Sequence, residues 1–327
     1  MNGRFALVVD RRGAALEEGS HDTVVVRHAD GRRERVGMAA LGHVVLHGDV
    51  QLGTGLVQSL AAHGVALTLL PLRSRAPGVA FTTAPYGHAA LRHLQHCAYA
   101  DPRRRIMLAR YVVIAKCRAM AGFARSHALE PQADAEALRA MQAAAQADSV
   151  ATLMGIEGAC TERHFRRLGQ AYGSGGPFRF DGRNRLPPLD APNALMSLAY
   201  TLAMAQAERT LLRCGLDVQL GFLHGLLRNR HSLACDLVEP ARAAIDAWVL
   251  DILARRCLLT AAHFSGGDGD PVLLTREGRA LFYPAWFAEG ALRAQAPMRT
   301  LLAGILRELR WPDQNITPEE PEHHAIA

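Results

Sequence analysis

The sequence is almost without lysine. Lys116 stands alone among 37 basic residues, and every other one is arginine. It also lacks a Cys-x-x-Cys pair. Its six cysteines, at 97, 117, 160, 214, 235 and 257, are widely spaced and read as reduced, mostly buried thiols of a cytoplasmic protein. No apolar run reaches the roughly eighteen residues of a membrane span, so no membrane association is expected. The segment Met1-Asn2-Gly3-Arg4 leads into a short apolar strand instead of a secretory signal. There is no Gly-Lys pair, hence no phosphate-cradling Walker loop, and Gly53-Thr54-Gly55 lacks the third glycine of a dinucleotide fingerprint. His-Glu-x-x-His and Gly-x-Ser-x-Gly are missing. Glu-x-x-His occurs only in the β-rich region, Glu18 to His21, and in the tail, Glu320 to His323, which removes a di-iron helical bundle.

What is present is the composition of a soluble globular protein: 327 residues, 49% hydrophobic and 21% charged. A net charge of +6 and a pI near 9.3, carried by guanidinium groups suited to bidentate phosphate contacts, favour an anionic partner. Patterning predicts an α+β protein with a small β-rich N-terminal domain at 1–85 and a larger all-α domain at 86–316. A disordered acidic tail is expected at 317–327. Strands are expected at Phe5–Val9, Thr23–Val26, Glu34–Val36, His43–Leu46 and Val65–Leu70. The turn Asp30-Gly31 makes a hairpin of the second and third, and Leu56–His63 supplies a short helix. The prolines and glycines of 71–87 mark a linker or domain edge. Helices are expected at Arg103–His127, Ala133–Ala147, Ser149–Ala171 (Ser149 its cap), Ala194–Arg213, Ala241–Leu259, Arg276–Glu289 and Pro297–Leu309.

Four ionisable residues lie among apolar neighbours, where an uncompensated charge is costly. Glu157 sits in Gly-Ile-Glu-Gly-Ala and shares a helical stripe with Leu153, Cys160, His164 and Leu168. His224 sits in Gly-Phe-Leu-His-Gly. Asp236 and Glu239, one helical turn apart, sit in Ser-Leu-Ala-Cys-Asp-Leu-Val-Glu-Pro. Two or three carboxylates with one imidazole would suit a divalent metal. Local pattern leaves other readings open: Glu157 paired to an arginine, His224 a core histidine, and the two acids ordinary dipole partners of a first turn. The arginines Arg163, Arg166 and Arg167 form either a solvated helix face or a phosphate clamp. Arg183 with Arg185 is ambiguous in the same way.

Ordered blocks along nearly the whole chain resemble the CRISPR-associated adaptation endonuclease/integrase family, the universal first Cas protein. They run from Val44-Val45-Leu46-His47-Gly48-Asp49-Val50 and Gly64-Val65-Ala66-Leu67 through the Glu157 block to Asn184-Arg185-Leu186-Pro187-Pro188. The His224 block, the Asp236–Glu239 block and Leu273-Leu274-Thr275-Arg276-Glu277-Gly278-Arg279 follow. The resemblance implies a dimerising β-rich domain and a helical, metal-dependent catalytic domain. It implies Glu157, His224 and Glu239 as ligands of Mg2+ or Mn2+, with Asp236 a further catalytic acid. Arg163, Arg166, Arg167 and Arg185 are the implied DNA contacts. The implied partners are a double-stranded DNA fragment and the CRISPR repeat, a second copy of the chain, and the small ferredoxin-like second Cas protein. The implied reaction is insertion of foreign DNA fragments by 3′-hydroxyl attack on a phosphodiester, with nuclease activity when water attacks. Where the family often reads Ala-x-Arg-Arg-Tyr-Phe, this sequence has Thr161-Glu162-Arg163-His164-Phe165, so that His164 stands in place of an aromatic hydroxyl. Two other expectations compete: a non-catalytic DNA-binding scaffold whose acids satisfy buried arginines, and an unrelated metal-dependent phosphodiesterase.

Overall fold

Asp30 and Gly31 turn the chain between two runs rich in strand-forming residues, and Gly31 takes the positive φ of 84° that this turn needs. The runs form β3 (Thr23–Arg27) and β4 (Arg33–Gly37). With β2 (Ala15–Gly19) and β6 (Gln51–Leu52) they make a sheet of order β4-β3-β2-β6, antiparallel except where β6 meets β2. A second sheet has the order β1-β5-β7-β8, from β1 (Phe5–Val9), β5 (Leu41–His47), β7 (Ala66–Leu70) and β8 (Val79–Phe81). Its first three strands are parallel, with α1 (Thr54–Ala62) in the crossover from β5 to β7. The computed structural model describes residues 5–10, 13–71, 79–81, 89–130, 132–173, 176–184, 187–267 and 269–310.

Alternation along β5 ties the two halves of the molecule together. Val44 and Leu46 enter the core of the β-rich region with Leu16, Val24, Leu56 and Leu60. Val45 joins the core of the helical region. Pairs of side chains cross the same seam. His47 Nδ1 lies 2.8 Å from the Tyr283 hydroxyl, and Arg279 donates to Asp10 at 3.1 Å.

The helical region contains α2 (Ala89–Ala100), α3 (Pro102–Ser126), α4 (Ala133–Gln146), α5 (Val150–Tyr172) and α6 (Ala191–Arg213). It continues with α7 (Ser232–Val238), α8 (Arg242–Leu250), α9 (Arg276–Ala285) and α10 (Ala291–Arg310). Caps set several starts: Asp101 accepts the Arg103 N–H at 2.8 Å, Ser149 that of Thr152 at 3.1 Å, and Asp190 that of Asn193 at 2.8 Å. The central α3 buries Leu108, Val112, Val113, Cys117, Met120 and Ala124. Each such large apolar side chain contributes ~1.5–3 kcal/mol.

Three expectations are corrected. The helical region is not all-α: Phe264–Gly267 and Asp270–Leu274 pair as the antiparallel strands β9 and β10. Their glycine-rich connection hides the strand signal in the sequence. The expected linker at 71–87 contains β8, whose three residues are too few to show a period. The helix expected to start at Ala241 begins at Ser232. It runs through a tight turn at Glu239–Ala241 into α8, because Leu233, Ala234, Leu237 and Val238 are buried and leave no polar stripe to mark it. The tail at 317–327 and Arg185 lie outside the described residues. Among the described residues no helix is long and apolar enough to cross a membrane.

Candidate active site

Gly221 makes the His224 loop possible. A Cβ there would lie 2.6–2.7 Å from the backbone of Ser232 and the carbonyl of His224. With no side chain at that point, the loop lies against the start of α7 and directs three consecutive N–H groups at Asp236. Asp236 Oδ2 accepts from Phe222 N (2.6 Å) and Leu223 N (3.0 Å), and Oδ1 from His224 N (3.0 Å). Oδ1 also lies 2.7 Å from His224 Nδ1. A carboxylate can only accept, so His224 Nδ1 donates to Asp236 and Nε2 is the ring nitrogen turned to other partners. Asp236 is thereby occupied in orienting His224.

Glu157, on α5, and Glu239, in the turn after α7, meet at Lys116 of α3. The ammonium donates to Glu157 Oε1 and, at 2.5 Å, to Glu239 Oε2. Thr161, one turn beyond Glu157, donates to the same Oε1 at 3.0 Å, and Arg242 Nε donates to Glu239 Oε1 at 3.1 Å. Burial by itself would raise the Glu239 carboxyl. The Arg242 and Lys116 charges, with His224 nearby, outweigh it and hold the group down at about 2. The Arg242 guanidinium also lies 4.7 Å from the centre of the Tyr200 ring, whose hydroxyl donates to Asp246 at 2.5 Å. Asp246 in turn binds His164 Nε2 at 2.8 Å. His164 therefore faces the interior, edge-on to Phe123.

Glu157 and Glu239 thus converge on Lys116, and Asp236 backs His224. Arginines 163, 166 and 167 do not converge on them. Arg167 is buried, with Nε on Glu130 at 2.8 Å and Nη2 on Glu136 at 2.7 Å. It braces α4 against α5, because a guanidinium enclosed there needs both carboxylates. Arg166 is exposed, and Arg163, partly so, donates to Cys160 Sγ at 3.6 Å. The local pattern does not reveal Lys116, Arg242 or Tyr200. The one available signal is a sole lysine inside the apolar stripe Val112, Val113, Cys117, Met120. A cleft of about 860 Å³ opens at the seam between the two regions, away from these acids, lined in part by Val8, His43, Arg209, Arg279 and Phe287.

Two carboxylates and an imidazole are the hard, oxygen-rich donor set of Mg2+ or Mn2+, so the residues present fit such an ion. Among the described residues no three potential ligands stand at ligand spacing. Two of the three donors are instead drawn onto the Lys116 ammonium.

The fold and this site define a class: a small β-rich region joined to a helical one that encloses two carboxylates on a single ammonium. The sequence profile described as "CRISPR associated protein Cas1" matches residues 7–288. A curated relative from Rhodospirillum rubrum, "CRISPR-associated endonuclease Cas1 2", is 34% identical over 293 residues, covering 85% of this chain and 84% of its own. A Cas1 protein from Thermotoga maritima superposes with a TM-score of 0.81 at 23% identity, over 97% of this chain and 100% of that one. A casposase bound to integration product gives 0.79 at 16% identity, over 98% and 96%. A Cas6-RT-Cas1–Cas2 complex gives 0.71 at 16% identity, over 94% of this chain and 36% of that one. The chain belongs to the Cas1 family of CRISPR-associated endonucleases and is an enzyme of that kind.

Proposed function

We propose that Glu157, His224 and Glu239 hold a Mg2+ or Mn2+ ion and that this site joins foreign DNA fragments to a CRISPR repeat by transesterification. The observation that carries the reading is the convergence of Glu157 and Glu239 on one cation, beside an imidazole whose tautomer is fixed by Asp236. In the reaction, the 3′-oxygen of the fragment forms a bond to a repeat-edge phosphorus as it loses its proton. The existing bond from phosphorus to the repeat's 3′-oxygen breaks, and that oxygen takes up a proton. The number of phosphodiester bonds is unchanged. Water in place of the 3′-hydroxyl gives cleavage. A bound divalent ion supplies charge neutralisation at the phosphate. The chain's own groups prepare the site: Asp236 orients His224 through Nδ1, Thr161 orients Glu157, and Arg242 fixes Glu239 as a carboxylate.

Arg163 and Arg166 on α5, and Arg185, would contact the DNA backbone without reading its sequence. Arg167 would support them from inside. We further assign dimerisation to the β-rich region at 1–85 and catalysis to 86–316, and take DNA, a second copy of the chain and a small ferredoxin-like second Cas protein as partners. The likeness to a chain of a Cas6-RT-Cas1–Cas2 complex supports the second Cas protein as a partner.

The test compares wild type with Glu157→Gln and Glu239→Gln on a branched duplex, with Mn2+ and with EDTA. Cleavage should fall by about 10³-fold or more in either variant and vanish with EDTA. Duplex binding by fluorescence anisotropy should stay within a few-fold. Full cleavage by Glu157→Gln in Mn2+ would remove Glu157 from the site. Unaltered DNA binding with no cleavage by any form would favour the scaffold reading.

A further inference from the structure

Lys116 is 2% exposed on a helix face that is otherwise apolar, so its charge is tolerated only because Glu157 and Glu239 meet it there. Those are the carboxylates assigned above to the metal, and the inference rests on that assignment. A divalent ion that took both would compete with the ammonium for them. The choice of residue fits the task. In a sequence that otherwise uses arginine for every basic position, this one is lysine. A planar guanidinium inserted here would hold two carboxylates apart, whereas an ammonium is a compact point charge on a flexible stem that can withdraw. Lys116 also differs from Arg242, which grips only Glu239 and from its other edge, at Oε1.

We propose that Lys116 is a positioning residue for the metal. Its ammonium holds Glu157 and Glu239 together in the metal-free protein, keeping α3, α5 and the turn after α7 in register, and a divalent cation displaces it. Without this place-holder the buried Glu239 and the half-buried Glu157 would repel one another and the site would open before metal arrived. With it, the site is assembled in advance, and metal affinity is lowered by the free energy of breaking the two ion pairs.

A single lysine makes the test direct. Protein labelled with 15N at the lysine side chain gives one ammonium resonance, followed during Mg2+ titration while calorimetry measures binding in the same buffer. The resonance should shift and exchange faster with solvent in step with metal occupancy. Lys116→Met, which keeps the length of the stem, should bind Mn2+ about tenfold more tightly, the effect of removing a competitor that binds only the metal-free form. It should also melt at a lower temperature than wild type without metal and gain more from metal. Mg2+ binding that leaves the lysine resonance unmoved would overturn the proposal, as would equal or weaker Mn2+ binding by Lys116→Met. If that variant fails to fold, the wild-type resonance decides alone. Wild type that binds neither ion at millimolar concentration would reject the metal assignment, and the role of Lys116 with it.

Discussion

Asp236 accepts four hydrogen bonds with two oxygens while fully buried, so its substitution has a definite sign. Asp236→Asn places an amide NH2 against at least one backbone N–H and removes the charge that fixes the His224 tautomer. It should cost about 2–4 kcal/mol in urea unfolding and cut DNA joining more than its residual folded fraction explains. A loss below 0.5 kcal/mol would contradict the hydrogen-bond assignment. Glu157, His224, Asp236 and Glu239 are legible in the sequence because each is an ionisable group in an apolar segment. Their partners are not. Lys116 lies 41 residues from Glu157 and 123 from Glu239, and only packing of α3 against α5 and α7 makes them neighbours. Local pattern even points the wrong way at Arg167, which reads as surface and is enclosed between Glu130 and Glu136.

Helices with a cap and a clean 3.6-residue stripe are the ones the sequence reveals. The start of α5 follows from Ser149, and its buried stripe of Leu153, Cys160, His164 and Leu168 from spacing alone. Elements buried on all sides, such as α7, or stripped of side chains, such as β9, carry no such contrast. The start of α6 offers a test at this scale. Asp190 accepts the Asn193 N–H and also side-chain amides of Asn193 (2.7 Å) and Asn184 (3.0 Å), pinning the loop that precedes the helix. Asp190→Ala should lower stability by about 1–2 kcal/mol, and Asp190→Ser should recover part of it by restoring the cap. Equal loss in both would mean that the loop contacts dominate over the cap.

Across the whole molecule the two regions are joined through β5, and two of its histidines sit on that joint. His43, 2.8 Å from the Thr68 hydroxyl and edge-on to Phe287, is lowered to about 3, first by burial and then by Arg209. His47 is lowered to about 4 by burial and Arg279, against the opposing pull of Asp10. Both are neutral in the folded protein at pH values where the unfolded chain protonates them. Between their unfolded value near 6.5 and the folded values near 4 and 3, the unfolded state binds more protons. Stability is therefore complete above about 6.5 and is lost as the pH falls through that window. The urea midpoint should decline steadily from pH 7 to 4.5, above the range in which Glu239 contributes, and the slope should flatten in His43→Gln/His47→Gln. A flat profile in wild type would place these histidines in water. The central claim is that the acid–histidine centre performs metal-dependent joining of DNA. It is tested most directly by strand transfer of a labelled fragment with 3′-hydroxyl ends into a supercoiled plasmid carrying a CRISPR repeat, with and without the small partner. Joined product should form with Mn2+ or Mg2+ and be absent with EDTA and in His224→Ala. Joining that persists in EDTA, or in His224→Ala at the wild-type rate, would contradict the account.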